Sequence, residues 1–131
     1  MEKLQQTDKL VYLRRQMIEQ IQDYAIILLD VDGTILSWNK GVKKIKGYSK
    51  SEIIGQNFSI FYLPSDRQEK LPQHLLQMAA AEGRARHVGR RVRKDGTTYW
   101  GSILITALYD EYGNVMGFTK LTRELRDGEL E

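Results

Sequence analysis

The 131-residue sequence contains no cysteine, so disulfides, thiolate metal ligands, thiol nucleophiles and photochemistry through a cysteine-flavin bond are excluded by inventory. No stretch approaches the roughly 18 apolar residues needed to span a bilayer, and the N-terminus lacks the apolar core of a secretory signal. A soluble, cytoplasmic fragment without membrane contact is the expectation. A glycine-rich phosphate loop, a Ser/His/Asp set in workable order and metal-ligand spacing are missing as well. The acidic residues that could suggest catalysis fall in turns, as with Asp30, Asp32, Asp110 and Glu111, and turn chemistry accounts for them. Enzyme activity is not expected. The excess of one charge sign is also small, with 20 basic against 17 acidic residues and a net charge of +3. That is a poor argument for nucleic acid as a partner.

What is present has the length of one domain with a sizeable core. Asp95-Gly96 sits between two runs of strand period and predicts a hairpin. The arm after the turn, Thr98 to Tyr109, places Tyr99, Ile103, Ile105 and Ala107 on one face and Trp100, Leu104 and Leu108 on the other. Apolar groups on both faces predict a strand inside a sheet, covered on both sides. The arm before it is crowded by Arg84, Arg86, Arg90, Arg91, Arg93 and Lys94, which reads as a solvated edge strand that resists unwanted pairing.

Residues 3 to 22 hold no glycine or proline, and Leu10, Leu13, Met17, Ile21 and Tyr24 recur along one helical stripe. Leu4, Val11 and Ile18 repeat every seven residues beside it. Two readings stand for this helix: it pairs with a copy of itself through Leu10, Leu13, Met17 and Ile21, or it folds back over its own sheet. A strand, an Asp-Gly turn and a second strand follow from Tyr24 to Trp38. Asn39 is placed to cap a short helix that Gly47 stops, and Ser49 with Glu52 has capping-box spacing. A longer helix is predicted over residues 71 to 82 with Leu71, Leu75, Met78 and Ala79 inward, and a last strand over 115 to 124.

Five phrases in this order carry a resemblance: Ile27 to Ile35, Trp38-Asn39-Lys40-Gly41, Gly47 to Gly55, Arg93-Lys94-Asp95-Gly96, and Gly117-Phe118 leading to Thr122-Arg123-Glu124-Leu125. Together they resemble a PAS domain, the sensory-input module of bacterial histidine kinases and related signalling proteins. The resemblance implies an α+β fold with a five-stranded antiparallel sheet, order 2-1-5-4-3, and short helices over one face. Residues 1–23 would be a flanking or dimerisation helix, 24–126 the sensory domain, and 127–131 a tail, with a cloning remnant as one reading of its last two residues. Ligands would sit in the crevice between sheet and helices, lined here by Ile27, Leu29, Ile45, Phe58, Phe61, Leu75, Met78, Ile103, Ile105, Phe118 and Leu121. Such an apolar lining suits a small apolar or planar molecule.

The resemblance also pairs Glu52 with Lys94, an exposed ion pair worth at most about 1 kcal/mol. The three positions that handle a flavin in light-sensing relatives carry Phe58, Gly101 and Leu121 here, which speaks against flavin. Haem through His74, as a gas or redox sensor, is kept as a minor alternative, and no cofactor is assured. The expected function is that of an input domain in a two-component setting, homodimeric, with its effector in the same polypeptide. The competing reading is a ligand-free dimerisation or scaffolding module. At the exit of the last strand, Glu124 and Arg126 replace the Asp and Thr usual in the family, which puts the geometry of the output junction in question.

Overall fold

The computed structural model describes residues 2–126 and Glu129, with the side chains of residues 2–5 left aside. The tail expected over 127–131 therefore lies outside the described residues, Glu129 apart. The chain runs α1 (Glu2–Gln20), β1 (Ala25–Leu29), β2 (Ile35–Ser37), α2 (Lys40–Lys46), α3 (Lys50–Ile53), a 3-10 turn (Phe58–Phe61), α4 (Pro64–Gln68), α5 (Leu71–Glu82), β3 (Arg84–Val92), β4 (Thr98–Tyr109) and β5 (Val115–Glu124). The five strands form one antiparallel sheet in the order β2-β1-β5-β4-β3. No helix among the described residues is long and apolar enough to cross a membrane.

Strand alternation selects the inner face. Ala25, Ile27 and Leu29 of β1, Tyr99, Ile103, Ile105 and Ala107 of β4, and Phe118 of β5 are buried against the helices together with Val42, Ile45, Ile53, Phe58, Phe61, Tyr62, Leu75, Leu76 and Ala79. The connections use side-chain turns: one carboxylate oxygen of Asp30 accepts from the N–H groups of Asp32 and Thr34 at 2.9 Å each, and Asp110 does the same for Tyr112 and Asn114. Glycine follows at the position of positive φ, Gly33 at 88° and Gly113 at 86°, where a Cβ would strain the backbone.

Three expectations need correction. β4 does lie inside the sheet, but only one of its faces is covered: Trp100 and Leu108 on the other remain over a third exposed, as does Leu28 of β1. Helix α1 does not supply the missing cover, because its Leu10, Leu13 and Met17, with Ile21 just beyond its end, stay between 38% and 62% exposed. Asn39 stands at the N-cap of α2 but its side chain caps nothing. Instead its Oδ1 accepts from the Ile26 N–H at 2.7 Å, while its Nδ2 donates to the carbonyls of Ile18 (3.2 Å), Ile21 (2.7 Å) and Tyr24 (3.0 Å). A fully buried amide thus ties the end of α1 to β1 and α2.

That tie demands close approach, and Gly41 permits it: a Cβ there would meet the Tyr24 carbonyl oxygen at 1.8 Å. Replacing Asn39 by Ala leaves the Ile26 N–H and the carbonyls of Ile21 and Tyr24 without this partner in a part-buried place, while the Ile18 carbonyl keeps the Ile21 N–H. Asn39→Ala is expected to lower stability by about 3 kcal/mol, measured by urea denaturation. A loss under about 0.5 kcal/mol would mean that water replaces the amide and that α1 is not anchored by it.

Candidate functional site

The crevice between the sheet and the helices contains an unusual set of groups for a core. Lys46 at the end of α2, Arg91 on β3 and Lys120 on β5 are all 0% exposed. Each arrives there by local geometry. Arg91 and Lys120 fall on the inward phase of their strands, opposite Tyr99 and Ile105 of β4 respectively. The last turn of α2 is held against the hairpin by the Lys94 N–H, which donates to the Lys46 carbonyl at 3.0 Å.

Aromatic rings flank the cations, and the Lys46 and Lys120 side chains lie within hydrogen-bond reach of each other. Lys46 Nζ lies 4.3 Å and Lys120 Nζ 5.0 Å from the Phe61 centroid, and the Arg91 guanidinium stacks 4.1 Å above Tyr62. Lys46 donates to Tyr99 Oη at 2.9 Å and Lys120 to Thr122 Oγ1 at 3.2 Å. Arg91 donates through Nη1 to the Arg90 carbonyl at 3.0 Å, and its Nη2 lies 3.1 Å from His87 Nδ1. Burial and the nearby guanidinium push the His87 pKa down, so the ring stays neutral and Nδ1 accepts.

Among the described residues none of the three cations has a carboxylate within ion-pair distance. Arg91 Nε and Tyr62 Oη are buried without a hydrogen-bond partner among those residues. Desolvation, with the charge of Arg91 added, pushes Lys46 down from the ordinary lysine range to about 7. Burial and the charges of Lys46 and Arg91 push Lys120 well below that range too. Arg93 differs from these three: it stacks 4.5 Å from the Tyr99 centroid and forms an ion pair with Glu124 at 2.6 Å.

Of the eleven residues expected to line the crevice, Ile27, Leu29, Ile45, Phe58, Phe61, Leu75, Ile103, Ile105 and Phe118 lie in the buried core. Met78 does not: it is 45% exposed, because α5 turns Pro72, Leu75, Leu76 and Ala79 inward. Leu121 falls out of phase with its inward neighbours Lys120 and Thr122, and so belongs to the other side of the sheet. The lining is also not wholly apolar, and the basic strand is not wholly solvated, since Arg91 is inside. Sequence reasoning missed Lys46, Arg91 and Lys120. The signal for the last was available, because Phe118, Lys120 and Thr122 share one strand phase.

Glu52 on α3 and Lys94 before the hairpin turn form an ion pair, half-exposed at Lys94. The Lys94 ammonium, followed by the Ser49 N–H, holds the Glu52 carboxyl down at about 2. His74 sits on the exposed side of α5, so the residues do not fit a haem hung from it. Nor do they fit the flavin contacts expected from the resemblance: Phe58 is packed edge-on against Tyr62 at 5.5 Å, Gly101 offers no side chain, and Leu121 is on the other face.

A sequence model of the family described as the PAS fold matches residues 12–123. The chain is 42% identical over 111 residues to the two-component system protein A of Emericella nidulans, covering 85% of this chain and 16% of that protein. It is 29% identical over 103 residues to the blue-light photoreceptor of Listeria monocytogenes, covering 76% of this chain and 40% of that protein. The chain thus spans well under half the length of these relatives. Among solved structures, the PAS domain of a protein from Colwellia psychrerythraea superposes with a TM-score of 0.80 at 26% identity, covering 88% of this chain and 97% of that one.

The buried lysines give a pH signature. Around them are His87 and Arg91 from β3, Arg93 just after it, Tyr99 from β4 and Tyr62 before α4, with Asp66 acting on Tyr62 and His87, and Glu124 on Tyr99. In the unfolded chain a lysine keeps its proton to about pH 10.4, whereas folded Lys46 loses its own at about 7. Between those values the unfolded chain binds more protons, so stability rises with pH. Above about pH 10 the trend reverses, because Tyr62 and Tyr99 are held protonated by burial and ionise more readily unfolded. The urea-unfolding free energy is expected to be on the order of 3 kcal/mol higher at about pH 9.5 than at about pH 7, and Lys46→Met should flatten that slope.

Proposed function

The chain belongs to the PAS family of sensory domains, and on that premise we propose that it is the input module of a larger two-component signalling protein, with a histidine kinase as effector in the same polypeptide. A small molecule held between sheet and helices changes the packing there, and the chain ends carry the change outward as a shift between two populations. The observation that carries this reading is Arg93. One side of its guanidinium stacks on Tyr99, which accepts from Lys46 in the crevice, and the other is bonded to Glu124 where β5 ends. A change around Lys46 and Tyr99 therefore acts on the exit of the last strand through a single side chain.

The exit supports the same reading despite its altered residues. Glu124 reaches Arg93, and the Arg126 N–H donates at 2.8 Å to Glu129, which also accepts from Arg123 at 2.7 Å. Glu129 thus satisfies the backbone where the family's hydroxyl is replaced by arginine. At the other end, the Asn39 bonds connect β1 to α1. The relative in Emericella nidulans, a two-component system protein by name, supports the two-component setting.

A second reading concerns assembly. Leu10, Leu13 and Met17 on α1 and Ile21 just after it stand exposed, and so do Trp100 and Leu108 on the outer sheet face. A second copy covering both surfaces is the homodimer this arrangement favours. If no ligand is taken up, the same surfaces make the chain a scaffolding module.

Native mass spectrometry of the purified chain, with extraction of whatever accompanies it, tests the first reading. Occupancy is expected to slow amide exchange in residues 122–126 about tenfold or more, and Arg93→Gln should abolish that protection while leaving occupancy intact. A chain that holds nothing, takes up nothing and shows invariant exchange would overturn the sensory reading. Sedimentation tests assembly: the double substitution Leu13→Glu and Met17→Glu is expected to yield monomer where the parent chain is dimeric, and an unchanged dimer would remove α1 from the interface.

A further inference from the structure

We propose that the crevice is a receptor for a small anion carrying two or more negative charges, carboxylate or phosphate, bound between Lys46, Arg91 and Lys120. This rests on the reading of the crevice as a ligand site and names the class of ligand. The argument begins with charge. A fully buried cation in a protein interior is ordinarily paired, because desolvation costs far more than cation–π contact returns. Here three cations from three different elements share one interior, and none has a carboxylate within ion-pair distance among the described residues.

The second observation is unspent hydrogen-bonding capacity. Arg91 Nε and Tyr62 Oη are buried and unpartnered among the described residues, and both groups can donate. Tyr62 carries Arg91 at 4.1 Å and Lys120 at 6.0 Å from its ring, and Phe61 carries the two lysines, so the free donors and the free charges converge. A fork of guanidinium donors and two ammonium groups is the donor set that carboxylate and phosphate oxygens satisfy. The three basic side chains are packed against the rings at these distances, so a compact ion enters when the long lysine and arginine side chains swing apart. Small di- and tricarboxylates and inorganic phosphate match that size, and an uncharged apolar ligand would leave the charges unpaired.

The test is calorimetric titration of the 131-residue chain with succinate, citrate and inorganic phosphate at neutral pH, and with succinamide as the uncharged counterpart of succinate. At least one of the anions is expected to bind with a Kd below about 1 mM, and succinamide is not. Arg91→Leu and Lys120→Met are each expected to weaken binding about tenfold or more. Arg90→Leu should leave it unchanged, because Arg90 is on the exposed side of the same strand, stacked 5.3 Å from Trp100. Thermal melting guards against a folding defect: Arg91→Leu removes an uncompensated buried charge, so its melting temperature should hold or rise while the anion-dependent increase disappears. No binding by any of the three anions, or equal loss in Arg90→Leu and Arg91→Leu, would overturn the proposal. A neutral molecule recovered from the crevice by native mass spectrometry would overturn it too, while leaving the sensory reading standing.

Discussion

Desolvated positive charge governs this domain. Three cations are withdrawn from water into a crevice otherwise built of aliphatic and aromatic groups, and the surrounding chain is arranged to make that tolerable. Rings of Phe61, Tyr62 and Tyr99 face the charges, hydroxyl groups of Tyr99 and Thr122 accept from the lysines, and His87 is kept neutral beside the arginine. These contacts compensate in part only, because an ammonium loses more on leaving water than a π face supplies. The lysines respond by giving up their protons more readily than lysines in water do.

The arrangement links the interior to both ends of the chain. Tyr99 is touched from one side by Lys46 and from another by Arg93, and Arg93 is the residue that meets Glu124. Asn39 performs the corresponding task at the N-terminal end, with four hydrogen bonds that join three elements. Both devices are polar groups placed where apolar packing alone would have sufficed for stability. They hold particular geometries, and a geometry held by few bonds can be switched by few bonds.

The outer surfaces follow a different logic. α1 and the uncovered sheet face leave aliphatic and aromatic groups in water, a pattern that a monomer does not need and that an assembly would use. β3 divides its charges by strand phase, with Arg84, Arg86 and Arg90 outward and Arg91 inward. The same alternation that protects the edge with charge thus carries one charge into the core.

The sequence by itself determined the local elements and their order. Period-two runs, Asp-Gly turns and glycine stops depend on neighbours within a few residues, and so β3, β4, β5 and α5 were legible from the chain. Family phrases then implied the strand order 2-1-5-4-3 and the Glu52–Lys94 pairing. Helix phase was less secure: Leu76 and Met78 flank the buried line of Leu75 and Ala79 on opposite sides, and which of them faces the sheet depends on the rotation of α5, which no local pattern specifies. The burial of Lys46, Arg91 and Lys120 was decided by tertiary structure alone. A lysine in a strand reads as solvated until the element covering its face is known, and those covers come from α2, the 3-10 turn and β3, up to 74 positions away in the chain. Asn39 likewise looked like a cap, because sequence shows which groups are near along the chain and not which carbonyls the fold brings to them.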